Sequence, residues 1–151
     1  MATRATYQFK PVEEGYKPPI ATFYIHHDGY PSGAVEYIEK ATSIEEFFRK
    51  NEGAKIVYPS RHETHSDTEY RYTIGTVRNT KWTGNLITVS KRYYPGDVGF
   101  SRAVGYGDNK WDTIFAGTVA AFIEKYTKET TVELIMGQGV ITKVNRMAKE
   151  D

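Results

Sequence analysis

Apolar and polar positions alternate from Thr3 to Lys10: Ala5, Tyr7 and Phe9 fall on one side, Arg4, Thr6, Gln8 and Lys10 on the other. A period of two with aromatic content predicts a half-buried strand, and Pro11 ends it. After a turn-rich stretch, Ile20–Ile25 is β-branched and aromatic and predicts a returning strand, so the two form a hairpin with a long loop. The pattern then shifts to helical spacing, with Ala34, Ile38 and Ala41 on one face. Ser43-Ile44-Glu45-Glu46 has the spacing of a capping box, which starts a second, short helix carrying Ile44, Phe47 and Phe48, with Gly53 as its C-cap. Lys55–Tyr58 predicts a short strand before Pro59, and Ser60–Thr68 a polar loop. Glu69–Val77 alternates again, with Tyr70, Tyr72 and Ile74 on one face, and Leu86–Tyr94 is its expected antiparallel partner.

Further on, Phe100–Val104 is a candidate short strand inside a glycine-rich region. Trp111, Phe115, Thr118, Phe122 and Tyr126 recur at helical spacing and predict a helix over 111–126, with Asp108-Asn109 as its cap. Thr130–Met136 and Val140–Val144 read as a last hairpin, and Asn145–Asp151 as a frayed tail. No regular βαβ alternation appears. The expected class is α+β: one domain, a mainly antiparallel sheet packed by two to three helices.

At 151 residues the chain is long enough for a core without staples. It has no cysteine, which excludes disulfides and thiolate-bound metals. No stretch approaches the roughly 20 apolar residues of a membrane span, and no apolar run follows Met1, so a soluble cytoplasmic protein without signal peptide is expected. The formal charge of +1 gives no bulk attraction to nucleic acid. Twelve tyrosines suit amphipathic sheet faces or an interface, and a homodimer or larger assembly is expected.

Two stretches carry candidate chemistry. The first is the corner His26-His27-Asp28-Gly29-Tyr30-Pro31 between strand and helix. Pro31 suits a first helical turn, and Asp28 is expected to accept hydrogen bonds from the backbone N–H groups of Tyr30–Gly33 and so cap the helix. Imidazole with carboxylate is also the material of metal sites and acid–base pairs. His26 and His27 on a strand would, however, point to opposite faces. His62-Glu63-Thr64-His65-Ser66-Asp67 matches an H-x-x-H-x-D spacing, but on a loop rather than a helix, so neither a metal nor a cofactor is expected.

The second stretch is Arg92–Lys110. Glycines let backbone N–H groups approach an anion, and a helix beginning near Trp111 would add the positive end of its dipole. Arg92, Arg102, Asn109 and Lys110 supply donors, Tyr94 and Tyr106 rings, so these six form the candidate ligand site. It lacks the G-K-[ST] of a Walker loop and the third glycine of a dinucleotide-binding fingerprint.

The corner, following a strand that opens Ala21-Thr22-Phe23-Tyr24, resembles that of small uncharacterised proteins of phages and bacteria, which carry a similar H-x-D-G-Y-P near their N-terminus. The resemblance covers about the first third of the chain and implies a mobile-element setting. Small accessory proteins of that setting often counter host defence by binding a host protein or sequestering a nucleotide signal. The function expected is therefore non-enzymatic binding of a host protein or an anionic nucleotide. The competing classes are a small phosphoester hydrolase using His26 or His27 with Asp28, and a single-stranded nucleic-acid binder using rings on a sheet.

Overall fold

The computed structural model describes residues 3–13, 15, 17–64, 67–106 and 109–127, with Tyr106 and Asn109 described in their backbone only. The elements are β1 (Ala5–Pro11), β2 (Ala21–Ile25), α1 (Pro31–Glu39), α2 (Ile44–Lys50), β3 (Lys55–Ile56), α3 (Arg61–Thr64), β4 (Tyr70–Thr76), β5 (Leu86–Tyr93), β6 (Val104–Tyr106) and β7 (Asn109–Thr118). Residues 119–127 form a further helix, α4. The strands make one seven-stranded sheet in the order β3-β2-β1-β4-β5-β7-β6. Every pairing is antiparallel except that of β1 with β4. The class is α+β.

The alternation seen in the sequence sorts the two faces. Ala5, Tyr7, Phe9, Phe23, Ile25, Tyr72, Ile74, Ile87 and Val89 face α1, α2 and α4, whose Val35, Ile38, Phe47, Val119 and Phe122 complete the core. Rings dominate this layer. Tyr7 stacks on Tyr72 with centroids 4.8 Å apart, and Phe47 lies against Tyr7, Phe9 and Phe23. Tyr7, Tyr24, Tyr72 and Tyr126, four of the twelve tyrosines, are buried within the chain's own fold.

The opposite face is polar. Part of it is nevertheless buried beneath the segment that follows β3. Gln8 donates to Thr22 Oγ1 at 3.0 Å and to the Pro59 carbonyl at 3.1 Å. Thr6, Gln8, Thr22 and His62 are all buried there. Hydrogen bonding is what makes burial of such groups tolerable.

The capping box is present in a shifted form. Glu46 N–H donates to Ser43 Oγ at 3.1 Å, while the Glu46 carboxylate accepts from Thr42 rather than from Ser43. Gly53 is not the C-cap of α2. Asn51 holds that place, and its side-chain amide donates to the carbonyls of Phe47 and Tyr37. The expected polar loop 60–68 contains the short helix α3.

The largest departure is at 111–126. Asn109–Thr118 is a strand, and only the part beyond it is helical. Thr118 Oγ1 accepts from Ala121 N–H at the start of α4. Eight residues of β5 pair with β7, and the register slips between Val89 and Ser90 so that Ile114 is extra on β7. Such a bulge resets the alternation. Ile114 and Phe115 both pack on the helix-covered core, while Trp111, opposite Arg92, falls on the other face. With 111–118 extended, Asn109 begins a strand and no helix starts there to be capped. The hairpin expected at 130–144 and the tail at 145–151 lie outside the described residues.

Candidate functional site

The corner after β2 is held by the core. Gly29 N–H donates to the Thr3 carbonyl at 2.8 Å, Tyr72 donates to the Gly29 carbonyl, and Tyr37 donates to the His27 carbonyl at 2.9 Å. Asp28 is left-handed, with φ 55°, a conformation that Asp tolerates better than most residues. A Cβ on Gly29 would lie 2.8 Å from the Ala5 Cβ, and one on Gly33 would lie 2.3 Å from the Asp28 carbonyl. These contacts explain why glycine stands at positions 29 and 33. Asp28 does not cap α1, because Tyr30 occupies the N-cap position and no side chain caps it. The Asp28 carboxylate instead accepts from the Tyr30 hydroxyl at 3.1 Å. Pro31 occupies the first turn, as its fixed φ favours.

None of those anchoring bonds uses the His26 or His27 ring. Both residues lie past the end of β2 and are exposed, so strand alternation does not separate them, and their rings meet edge to face at 4.7 Å. Arg4 Nε donates to His26 Nδ1 at 3.2 Å, and the Tyr24 hydroxyl lies 3.1 Å from the same nitrogen. Tyr24 also donates to Asp67 at 3.2 Å, and Asp67 pairs with Arg4 at 3.3 Å. Partial desolvation and the neighbouring Arg4 and His27 hold His26 below the ordinary imidazole range, with Asp67 opposing.

His62 is turned inward rather than lying on a surface loop. Its Nδ1 is 2.9 Å from Thr6 Oγ1 and its Nε2 is 2.8 Å from Thr73 Oγ1. Burial, reinforced by Arg71 and Lys10, lowers its pKa to about 3. It is a neutral cross-link between α3 and the sheet. His65 lies outside the described residues. Among the described residues no group of three or more His, Asp and Glu side chains could hold a metal ion.

The six residues proposed from the glycine-rich stretch do not form one cradle. Without a helix at Trp111 there is no dipole end, and alternation along β5 and β7 separates Arg92 from Lys110 onto opposite faces. Lys110 Nζ lies 4.5 Å from the Phe100 ring centroid, and Arg102 and Tyr93 both border Gly99. Arg92 keeps Tyr94 as a neighbour at 6.0 Å. The side chains of Tyr106 and Asn109 are outside the described residues.

Two residues outside the expected ligand site, Arg71 and Trp111, join Arg92. Arg71 Cζ lies 3.6 Å from the Trp111 ring centroid, and Arg92 Cζ lies 4.8 Å from it. Arg92 and Trp111 are buried and Arg71 is half-buried. Arg71 donates through Nη2 to the Glu63 carbonyl at 3.2 Å, whereas its Nε is buried and makes no hydrogen bond among the described residues. Burial lowers the Arg71 pKa to about 10, with Glu63 opposing and the charge of Arg92 adding to the shift. Two planar cations thus share one indole, in an environment that penalises the charge of Arg71.

Register extends the arrangement across the sheet. Ala5 pairs with both Ile25 and Tyr70, which sets Arg4 beside His26 on one side and Glu69 on the other. Arg92 N–H donates to the Glu69 carbonyl, and Arg92 pairs with Trp111. One transverse row on the polar face therefore reads His26, Arg4, Glu69, Arg92, Trp111. A separate cleft of about 640 Å³, lined by Ala41, Trp82, Ala120 and Ile123 among others, shares no residue with this row.

Comparison of the chain with protein families, with characterised proteins and with solved structures returns no match. No helix among the described residues is long and apolar enough to cross a membrane.

Proposed function

We propose that the protein binds an anionic nucleotide-type ligand without turning it over, on the polar sheet face at Arg71, Arg92, Trp111 and Tyr94. The observation that carries this reading is the pair of guanidiniums over the Trp111 ring. Two guanidiniums held side by side repel each other, and a phosphate offers their terminal amino groups acceptors and a countercharge together. Arginine matches phosphate through planar, paired donors. Tyr94, 40% exposed beside Arg92, offers a ring on which a base can stack. Binding without turnover is favoured because both ring nitrogens of His62, a histidine of this face, are engaged by threonine hydroxyls. In the setting implied by the H-x-D-G-Y-P resemblance, such binding sequesters a nucleotide signal.

A protein partner is the second reading. It is favoured by three exposed apolar residues, Ile56 on the edge strand β3, Tyr58 just beyond it, and Phe48 of α2, which stacks on Phe23, the strand partner of Ile56.

Calorimetry with inorganic phosphate, AMP and a cyclic mononucleotide, against wild type, Arg71→Lys and Arg92→Lys, tests the first reading. Lysine keeps the charge and loses the planar fork, so affinity should fall about tenfold or more in either variant. Absence of binding by wild type, or equal binding by folded variants, leaves the protein partner as the better account.

A further inference from the structure

The geometry points to a ligand with two phosphate groups separated by a nucleoside, a dinucleotide rather than a mononucleotide, whose second phosphate sits on Arg4 and the exposed rings of His26 and His27. This inference rests on the anion site described above and extends it along the same row.

Three observations carry it. First, the corner is anchored by backbone and tyrosine bonds, so the His26 and His27 rings are displayed at the surface without serving the anchor. Second, Arg4 Nε donates to His26 Nδ1, which in the neutral ring places the hydrogen on Nε2 and makes that atom a donor. The Arg4 terminal amino groups add donors of the same kind, and Lys55, paired with Tyr24 across β2 and β3, adds positive charge nearby. Third, β4 alone separates β1 from β5, so Arg4 and Arg92 stand roughly 10 Å apart at the backbone, two strand spacings. Both arginines are long enough to reach into that interval.

Glu69 lies between them in register. A phosphate placed over Glu69 would be repelled. An uncharged ribose or base placed there instead finds an acceptor, so the acid favours a ligand whose charges lie at its two ends. Asp67 already offsets one charge at the Arg4 end, which makes the second phosphate the weaker of the two contacts.

The test uses AMP and the linear dinucleotide pApA, titrated calorimetrically into wild type, Arg4→Gln and His26→Gln, each checked for folding by thermal melt. Wild type should bind pApA about fivefold more tightly than AMP, the increment of a partly screened charged contact. Both variants should lose that preference, while AMP affinity, set at Arg71 and Arg92, stays the same. Equal affinity of wild type for AMP and pApA, or a preference that survives both substitutions, overturns the dinucleotide inference and leaves the anion site standing. Failure of wild type to bind either compound overturns both.

Discussion

Tyr72, on a core strand, donates its phenolic hydrogen to the carbonyl of Gly29, in the corner that displays His26 and His27. The bond is buried and joins residues 43 apart in sequence. It makes the corner an extension of the core rather than a surface turn.

Tyr72→Phe keeps the stacked ring but leaves the Gly29 carbonyl without this donor. It should destabilise the fold by about 1–3 kcal/mol in urea unfolding. Gly29→Ala should cost a similar amount or more, because the new methyl meets the Ala5 Cβ and the backbone of Thr3 and Arg4. A loss within the error of the unfolding curves for both variants would mean that the corner is not anchored in this way.

Ser43→Ala should lower stability by about 1 kcal/mol, since Ser43 Oγ accepts the Glu46 N–H at the start of α2. Ser43→Gly should lose only a few tenths of that unit. The same unfolding measurement checks both. Equal losses in the two variants would show that the side-chain cap is not the source of the effect.

His62 makes stability depend on pH. Its folded pKa, about 3, lies below the ordinary value of 6.5, so the unfolded chain takes up a proton across that window and the native one does not. Stability is therefore full above pH 6.5 and falls as pH drops. From pH 7 to pH 5 the loss should be about 2 kcal/mol, following 1.36 kcal/mol per pH unit below the unfolded value. His62→Gln, which keeps a polar group between Thr6 and Thr73, should show a shallower slope over that interval. An unchanged slope would place the titration elsewhere.

Much of the architecture was legible in the sequence because local pattern and tertiary packing agree there. The β1–β2 hairpin, the Ser43–Glu46 cap and the antiparallel β4–β5 pair each follow from alternation or capping chemistry. The reading of 111–118 failed at one residue. Ile114 is the bulge that breaks the period of two, and it leaves Trp111 and Phe115 four apart, as on a helix face, although they occupy opposite faces of the sheet. With that helix went the dipole end expected at the glycine-rich stretch. Arg71 was visible only as a polar position between Tyr70 and Tyr72. Its meeting with Trp111 depends on the registers of three strands, which no local signal encodes. Burial of His62 likewise depends on α3 folding back over Thr6 and Thr73, 56 and 11 residues away.

The most direct test of the ligand site uses the two tryptophans of the chain. Trp82 donates its indole N–H to the Ile38 carbonyl on the helix side, while Trp111 lies under Arg71 and Arg92. Each gives one indole N–H resonance in a nitrogen–proton correlation spectrum, assigned with a Trp82→Phe variant. Titration with a nucleotide should shift the Trp111 resonance to saturation and leave that of Trp82 in place, and the shift should weaken as salt rises. A Trp111 resonance that does not move at millimolar AMP and pApA would contradict the account.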